Sequence, residues 1–427
     1  MKIRIDHIAK IEGHASFTAD IVKGDIKGAR IKIEEGARLF EGIMRGRTDE
    51  EVPEIASRIC GVCPVVHNLT GFKAIENAYN LTLDETSIIL RKLMMLGQII
   101  NSHALHLFFF SLSDFFGYKT DLQLINAYPE KTHDAIKIRD VGNELVETIG
   151  GRSIHPMNAT IGGMRKAPEI EELKKVLNDS RNTFDIVLRL ADLFLQLKYP
   201  DFIRKTSYIS LSNSDEYAIY DGKIMVDGKL DLNPKEFLML IKEFQEKDSV
   251  AKRVKFAGNT YMVGALARLH NNWEQLNPSA KAVLEKSKIK FPFYNPFYNI
   301  LAQAIELVHC FEETIKLLEL ITIGEIKISE PKVTDRGDGQ GIGAIEAPRG
   351  MLFYDLKLKQ GLPAGRQGIV ESLNIITPTA QNLANLEADL EEFEKLAGFG
   401  RLSREQKADR IKMLIRAYDP CVTCSVH

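Results

Sequence analysis

RICGVCPVVH, residues 58–67, carries two cysteines three positions apart, Cys60 and Cys63, with His67 four positions after the second. The other end repeats the figure: DPCVTCSVH, residues 419–427, holds Cys421 and Cys424, followed by His427. Two thiolates at this spacing can face one metal from a single turn. Two such pairs supply four soft ligands, suited to zinc, iron–sulfur or nickel. If the pairs share a site, position 60 must meet position 424, and the 427-residue chain closes on itself. That favours one interlocked domain, 1–427. Spacing alone leaves structural zinc and a redox metal both open. A thioredoxin-like dithiol is disfavoured, because neither pair follows a βαβ pattern.

Outward from these pairs, the patterning reads as α+β, predominantly α-helical: a core of long helices with peripheral β-sheets at the N-terminus and in the middle and C-terminal parts. Residues 1–47 alternate in the period-two manner and form a β-rich part. Residues 48–205 form a helical core around the first cysteine pair, with 169–198 spaced in threes and fours along one long helix. Residues 206–270 make a hairpin-and-helix excursion, in which YAIYDGKIMVDGK (217–229) has two Asp-Gly turns and PKEFLMLIKEFQEK (234–247) reads as a helix. Residues 271–427 bring helices, a β segment and the second pair. Within them, DRGDGQGIGAIEAPRG (335–350) reads as a Gly-rich connection, and KQGLPAGRQG (359–368) as an inserted surface loop.

Composition excludes some functions. With 56 Lys+Arg against 58 Asp+Glu there is no electrostatic footprint for nucleic acid. No apolar run approaches the ~18 residues of a membrane span. The most apolar stretch, 105–116, is broken by His106, Ser111, Ser113 and Asp114 and reads as a buried helix. No signal-peptide pattern opens the chain, so a cytoplasmic address is expected. Five cysteines, an odd number, argue against a disulfide framework. Cys310, on a helical pattern, reads as a small buried apolar residue.

Both cysteine motifs resemble the paired signatures of nickel–iron hydrogenase large subunits, and the resemblance runs along nearly the whole chain. It includes Ile11-Glu12-Gly13-His14, Phe40-Glu41 with Arg45-Gly46-Arg47, and Gly150-Gly151-Arg152 with His155-Pro156 and Gly162-Gly163. It continues through Gly264-Ala265-Leu266-Ala267-Arg268, Glu346-Ala347-Pro348-Arg349-Gly350 and Pro378-Thr379 with Gln381-Asn382. It implies that family's fold and reversible heterolytic cleavage and formation of H2. Cys60 and Cys421 would be terminal thiolates on nickel. Cys63 and Cys424 would bridge nickel to an iron carrying carbon monoxide and cyanide. His67 would donate a hydrogen bond to a bridging sulfur. Arg349 would lie over the metals, oriented by Asp114 and Asp419, and Pro348 and Thr379 would surround the iron ligands. Glu12 would relay protons from a terminal cysteine. Glu41, His427 and the main-chain carbonyl of Ile375 would hold a second cation, usually magnesium.

The same resemblance implies partners. No cysteines remain for an iron–sulfur cluster, so electrons would leave through a cluster-bearing small subunit and further diaphorase-like subunits. The acceptor would be NAD(P), a sulfur compound or a deazaflavin. Nickel chaperones and a maturation protease are implied too. That protease trims a C-terminal extension after the final histidine, so an end at His427 is expected of a processed form or of a gene without an extension. Two departures stand out: Ile161 precedes Gly162-Gly163 where relatives often have proline, and Leu352-Phe353-Tyr354-Asp355 replaces the usual aromatic and histidine segment. A metal-free relative of the complex I quinone-module subunit would lack the four cysteines. A zinc-stapled interaction protein would leave Glu12, Glu41 and Arg349 unexplained.

Overall fold

The stretch 85–104, ETSIILRKLMMLGQIINSHA, is apolar on most of its faces, and it forms helix Glu85–Ala104 at the centre of the protein. Asp84 starts it, its carboxylate accepting the Ser87 N–H at 2.8 Å. The helix runs on through a π-helical segment, Leu105–Ser111, into Leu112–Phe116. In this computed structural model, which describes residues 2–22, 25–247, 249–324, 326–329, 336–361, 367–396 and 398–427, Glu85–Phe116 is long and apolar enough to cross a membrane. However, 78% of its apolar window is buried inside the protein, as befits the core helix expected from its polar interruptions.

Helices Pro129–Gly150, Tyr298–Ile321 and Ile170–Leu195 pack around it, directly or through one another. Gly97 and Gly142 set the closest contact. A Cβ on Gly97 would lie 2.7 Å from the Gly142 carbonyl oxygen, and one on Gly142 2.5 Å from that of Gly97. The main hydrophobic core includes Ile3 at one end of the chain and Val426 at the other.

Small sheets surround this bundle. Lys2–Ile5, Ala15–Val22 and Asp25–Ile33 form an antiparallel sheet. The strand reading of 1–47 overreached at its end, where Phe40–Met44 is a short helix. In the middle part, Lys223–Val226 and Leu230–Leu232 form a hairpin whose turn residues, Asp227 and Gly228, both have positive φ. The helix read across 234–247 stops halfway. Pro234–Leu240 is helical behind an Asn233–Glu236 capping box, but Ile241–Gln245 is a strand paired with Lys252–Phe256. Tertiary contact overrides local preference here. The buried Arg253 guanidinium is clamped by Glu387, which fixes strand Lys252–Phe256 and offers its edge for pairing.

The C-terminal sheet runs in the order Gly339–Ala347, Gly350–Gln360, Gly368–Ile376. Its first strand corrects another expectation, since the Gly-rich 335–350 reads as a connection. Gly339, Gly341 and Gly343 fall on one face at period two, and that face lies on helix Pro64–Ala78. A Cβ at these positions would sit 2.5, 2.0 and 2.4 Å from the carbonyl oxygens of Ala78, Ala74 and Thr70. Glycine is required because strand backbone rests on helix backbone, and this is the helix that Cys63 caps. Gly341→Ala is expected to destabilise the protein by about 3 kcal/mol, as overpacking against main chain does, read as a fall in the thermal unfolding midpoint. Of the loop expected at 359–368, Lys359, Gln360 and Gly368 are strand residues, Gly361 N–H donates to Gln367 O at 2.9 Å, and 362–366 lie outside the described residues.

Candidate metal centre

The first cysteine pair sits where a loop enters helix Pro64–Ala78, and the Val62 and Cys63 N–H groups donate to Cys60 Sγ at 3.3 Å each. The second pair follows helix Arg404–Ala417, after Asp419 turns the chain in a left-handed conformation (φ 48°). The fold brings all four sulfurs within 4.8 Å of one another, all buried. Cys60 and Cys421 sulfurs are 3.4 Å apart, Cys63 and Cys424 3.2 Å, and Cys421 and Cys424 2.9 Å. Each close contact between the pairs thus joins one cysteine from each end of the chain.

Four thiols in a dry site cannot all ionise unaided. Hydrogen bonds from Cys421 and Cys424 hold Cys60 well below the usual thiol range, while burial pushes Cys421 and Cys424 well above it. A cation among the sulfurs would favour ionisation of all four. The donor set therefore fits a thiophilic metal centre.

Of the polar residues expected from sequence, Glu12, Arg349, Asp419 and Thr379 are linked to one another or to the second cysteine pair. Glu12 reaches them through a backbone bridge: Glu12 pairs with Cys421 in parallel, and Val422 N–H donates to Glu12 O at 3.0 Å. The neighbouring Gly13 (φ 82°) leaves no room for a side chain, since a Cβ would meet Val422 Cβ at 2.8 Å. Glu12 Oε2 is 3.1 Å from Cys421 Sγ and accepts the Thr423 N–H at 3.0 Å, while Oε1 accepts the Thr423 hydroxyl at 2.5 Å. Arg349 is buried and donates to Asp419 O (2.8 Å), Asp419 Oδ1 (2.9 Å) and Ser102 Oγ (3.2 Å). Burial opposes its charge, but Asp419 and then the cysteines raise its pKa above the ordinary arginine value. Thr379 Oγ1 accepts the Cys421 N–H at 3.0 Å, and its own hydrogen meets no acceptor among the described residues.

The family model for nickel-dependent hydrogenases matches residues 38–137 and 210–427, which include all four cysteines. The chain belongs to that family. It is 34% identical to the sulfhydrogenase 1 alpha subunit of Pyrococcus furiosus, over 100% of this chain and 98% of that one. It is 25% identical to the beta subunit of the NAD-reducing hydrogenase HoxS of Cupriavidus necator, over 100% and 94%. Among solved structures, an NAD+-reducing nickel–iron hydrogenase in the H2-reduced state superposes with a TM-score of 0.87 at 25% identity, covering 100% of this chain and 99% of that one.

In this hydrogenase chain the donors expected for a second cation also converge. His427 lies with Nδ1 2.8 Å from Cys424 O and Nε2 2.8 Å from Ile375 O, while Glu41 Oε1 is 3.5 Å from Nε2. A ring with one proton can donate to only one carbonyl. With that proton on Nδ1, the Nε2 lone pair, a carbonyl oxygen and a carboxylate face one another, a donor set that fits a hard cation. Without a cation the ring can instead turn an Nε2–H towards Glu41; burial would raise that carboxyl, but this hydrogen bond, one from the Ile375 N–H and the charge of Lys252 hold it at about 2. Ile375 can serve because it lies on the outer strand of its sheet, opposite Tyr354.

Asp114 is the correction. Expected beside Arg349, its carboxylate is instead taken by Arg416, at 2.5 Å. Arg416 also donates to Ala9 O, so it reaches Asp114 from the helix that leads into the second pair. Burial nevertheless raises the Asp114 pKa, against the pull of Arg416.

Two features escaped the sequence reading. All five N–H donors of buried Arg268 are used: two on Glu306 at 2.7 Å, and the others on Glu346 (2.9 Å), Ala347 O (2.8 Å) and Pro348 O (2.9 Å). Pro348 is thus held by its carbonyl, and the main chain entering Arg349 is fixed. Burial pushes the Glu346 carboxyl up to about 7, although Arg268 opposes the shift. An arginine in the apolar run GALARL was the available signal. The second is the partner of His67, the residue itself having been expected: its Nδ1 lies 2.8 Å from the Tyr354 hydroxyl.

Proposed function

We propose that this chain is the subunit in which a nickel–iron hydrogenase splits and forms H2, with Cys60, Cys63, Cys421 and Cys424 holding the metals. The observation that carries the reading is the closed set of four buried sulfurs with the Glu12 carboxylate 3.1 Å from one of them. When bound, the nickel–iron centre supplies an electron-rich site for heterolytic cleavage of H2. The chain's own residues do the rest. Cys421 Sγ accepts a proton and Glu12 takes it on, its carboxylate already oriented by Thr423. Arg349, oriented by Asp419, would offer fixed N–H donors to the diatomic ligands such a centre carries. Thr379 adds a hydroxyl there.

Electrons then leave through a partner small subunit with iron–sulfur clusters, and through further electron-transfer subunits to a sulfur compound or a pyridine nucleotide. The names of the sulfhydrogenase and NAD-reducing relatives support that choice. Nickel chaperones and a maturation protease belong to the same proposal, and the burial of all four cysteines supports metal loading before the C-terminal segment is seated.

An infrared spectrum of the complex purified with its partners tests the reading. Metal-bound carbonyl and cyanide stretches are expected. A fully loaded protein containing zinc and lacking those bands would replace this reading with a structural site. For the second cation we propose magnesium on Glu41, His427 and the Ile375 carbonyl. Glu41→Ala is expected to lose one equivalent of magnesium by elemental analysis and to speed amide exchange over 419–427. Unchanged magnesium would remove Glu41 from that site.

A further inference from the structure

Gly61 and Val62, between the first two cysteines, also line a half-enclosed cavity of about 140 Å³. Helix Glu85–Ala104 contributes Gln98 and Asn101 to its walls, and helix Pro129–Gly150 contributes Arg139 and Asn143. Arg139 is the one charged residue that lines it, and no acid does. Pockets for nucleotides and organic cofactors run to about 300–1,000 Å³. This one takes the end of a side chain or a small anion.

The walls present hydrogen-bond donors that the chain itself leaves unused. Gln98 is only 3% exposed, and its Oε1 accepts the Val65 N–H at 2.7 Å. That bond fixes which end of the amide is oxygen, so the other end is the NH2 group. This Nε2 is buried and has no partner among the described residues. Arg139 Nε donates to Asn101 Oδ1 at 2.9 Å, and the guanidinium lies 6.0 Å from the centre of the Phe109 ring. The two terminal nitrogens of its fork make no hydrogen bond or ion pair among the described residues. Burial lowers the Arg139 pKa, with only the charge of Asp140 opposing it. A half-buried cation and a buried amide donor thus share a cavity to which this chain brings no anion. Water would serve the amide, but it would leave the charge uncompensated.

We propose that this cavity is the socket for one carboxylate side chain of a partner protein, an aspartate or glutamate held by the Arg139 fork and the Gln98 amide. A planar guanidinium matches the two oxygens of a carboxylate. The rim favours a protein over a free ion: Ile154 is 52% exposed, and Met157, three positions on, is 44% exposed. Exposed apolar side chains around an arginine are the anatomy of an interface centre. A partner seated here covers the loop that carries Cys60 and Cys63, whose Val62 packs on the four-cysteine group. That this partner is the cluster-bearing subunit rests on the proposed function.

The test uses the full chain and the partner with which it purifies. Arg139→Gln is expected to unfold at the temperature of the unmodified chain, while its affinity for the partner falls about 30-fold or more, as when a buried charge loses its mate. Gln98→Glu keeps the acceptor for the Val65 N–H and puts a negative charge into the socket, so it is expected to weaken association as well. In the complex, Arg139→Lys supplies an amine for carbodiimide coupling. Peptide mass spectrometry is expected to find position 139 joined to an aspartate or glutamate of the partner. Unchanged affinity in both Arg139→Gln and Gln98→Glu overturns the proposal, and so does coupling that reaches no acid of the partner. If sodium acetate raises the unfolding temperature of the unmodified chain but not of Arg139→Gln, with partner affinity unchanged, the cavity takes a free anion and the docking reading falls. A coupled partner without iron–sulfur clusters would uphold the socket and overturn the choice of the cluster-bearing subunit as its occupant.

Discussion

Cys60→Ala and Cys424→Ala, each produced in the complex, are expected to contain no nickel and iron and to turn over no hydrogen. The two positions sample both ends of the chain and both inter-pair contacts, Cys60 with Cys421 and Cys63 with Cys424. Losing one sulfur leaves three thiols in a buried site shaped for four. The packing loss alone is on the order of 1 kcal/mol, so the variants should fold while failing to load. Cys310→Ala is the matched control. That thiol is equally buried on helix Tyr298–Ile321, where burial pushes its pKa far up, and it lies outside the four-sulfur group. It is expected to keep its metals and activity. Metal content per chain, with H2-dependent turnover alongside, decides the matter. A Cys60→Ala protein with full nickel and normal turnover would sink the ligand assignment.

Why the sulfurs were legible in sequence while two strands and several hydrogen-bond partners were not has a physical reason. Ligand chemistry is local: two thiols three residues apart share a turn whatever else the fold does. Long amphipathic helices are local too, and Ile170–Leu195 needed only its own periodicity. The strand Gly339–Ala347 was misread because glycine carries no periodic signal. Its glycines answer to the backbone of a helix some 270 positions earlier. Ile241–Gln245 was misread because an amphipathic helix pattern continued past the point where strand Lys252–Phe256 claimed the chain.

Hydrogen-bond partners are harder still. Resemblance placed Asp114 near the arginine over the metals, yet a desolvated carboxylate takes the guanidinium that packing delivers, here Arg416. Nothing adjacent to His67 announces Tyr354, and nothing adjacent to Arg268 announces Glu306 and Glu346. Such pairs exist only after strands and helices have docked. The four cysteines that converge were therefore readable one by one, whereas the partners of Asp114, His67 and Arg268 were not.

Glu12→Gln is expected to leave nickel and iron in place while cutting proton exchange with solvent by about 10²–10⁴-fold, the range for removing a general acid–base. The substitution is nearly isosteric. The amide oxygen can still accept the Thr423 N–H, and the bridge of Glu12 with Cys421 is main chain, so the local fold should survive. What disappears is a group that can take a proton 3.1 Å from Cys421 Sγ and release it again. Isotope exchange with deuterium, followed by the hydrogen deuteride formed, separates this step from electron transfer, which the variant should retain when driven chemically. Glu12→Asp gives a graded control. Its shorter carboxylate retreats from the sulfur by one methylene, and intermediate exchange is expected. Normal exchange in a fully loaded Glu12→Gln protein would take Glu12 off the path. The relay would then have to start elsewhere, and the convergence of Glu12, Thr423 and Cys421 would be structural, serving to pin the C-terminal segment to the first strands.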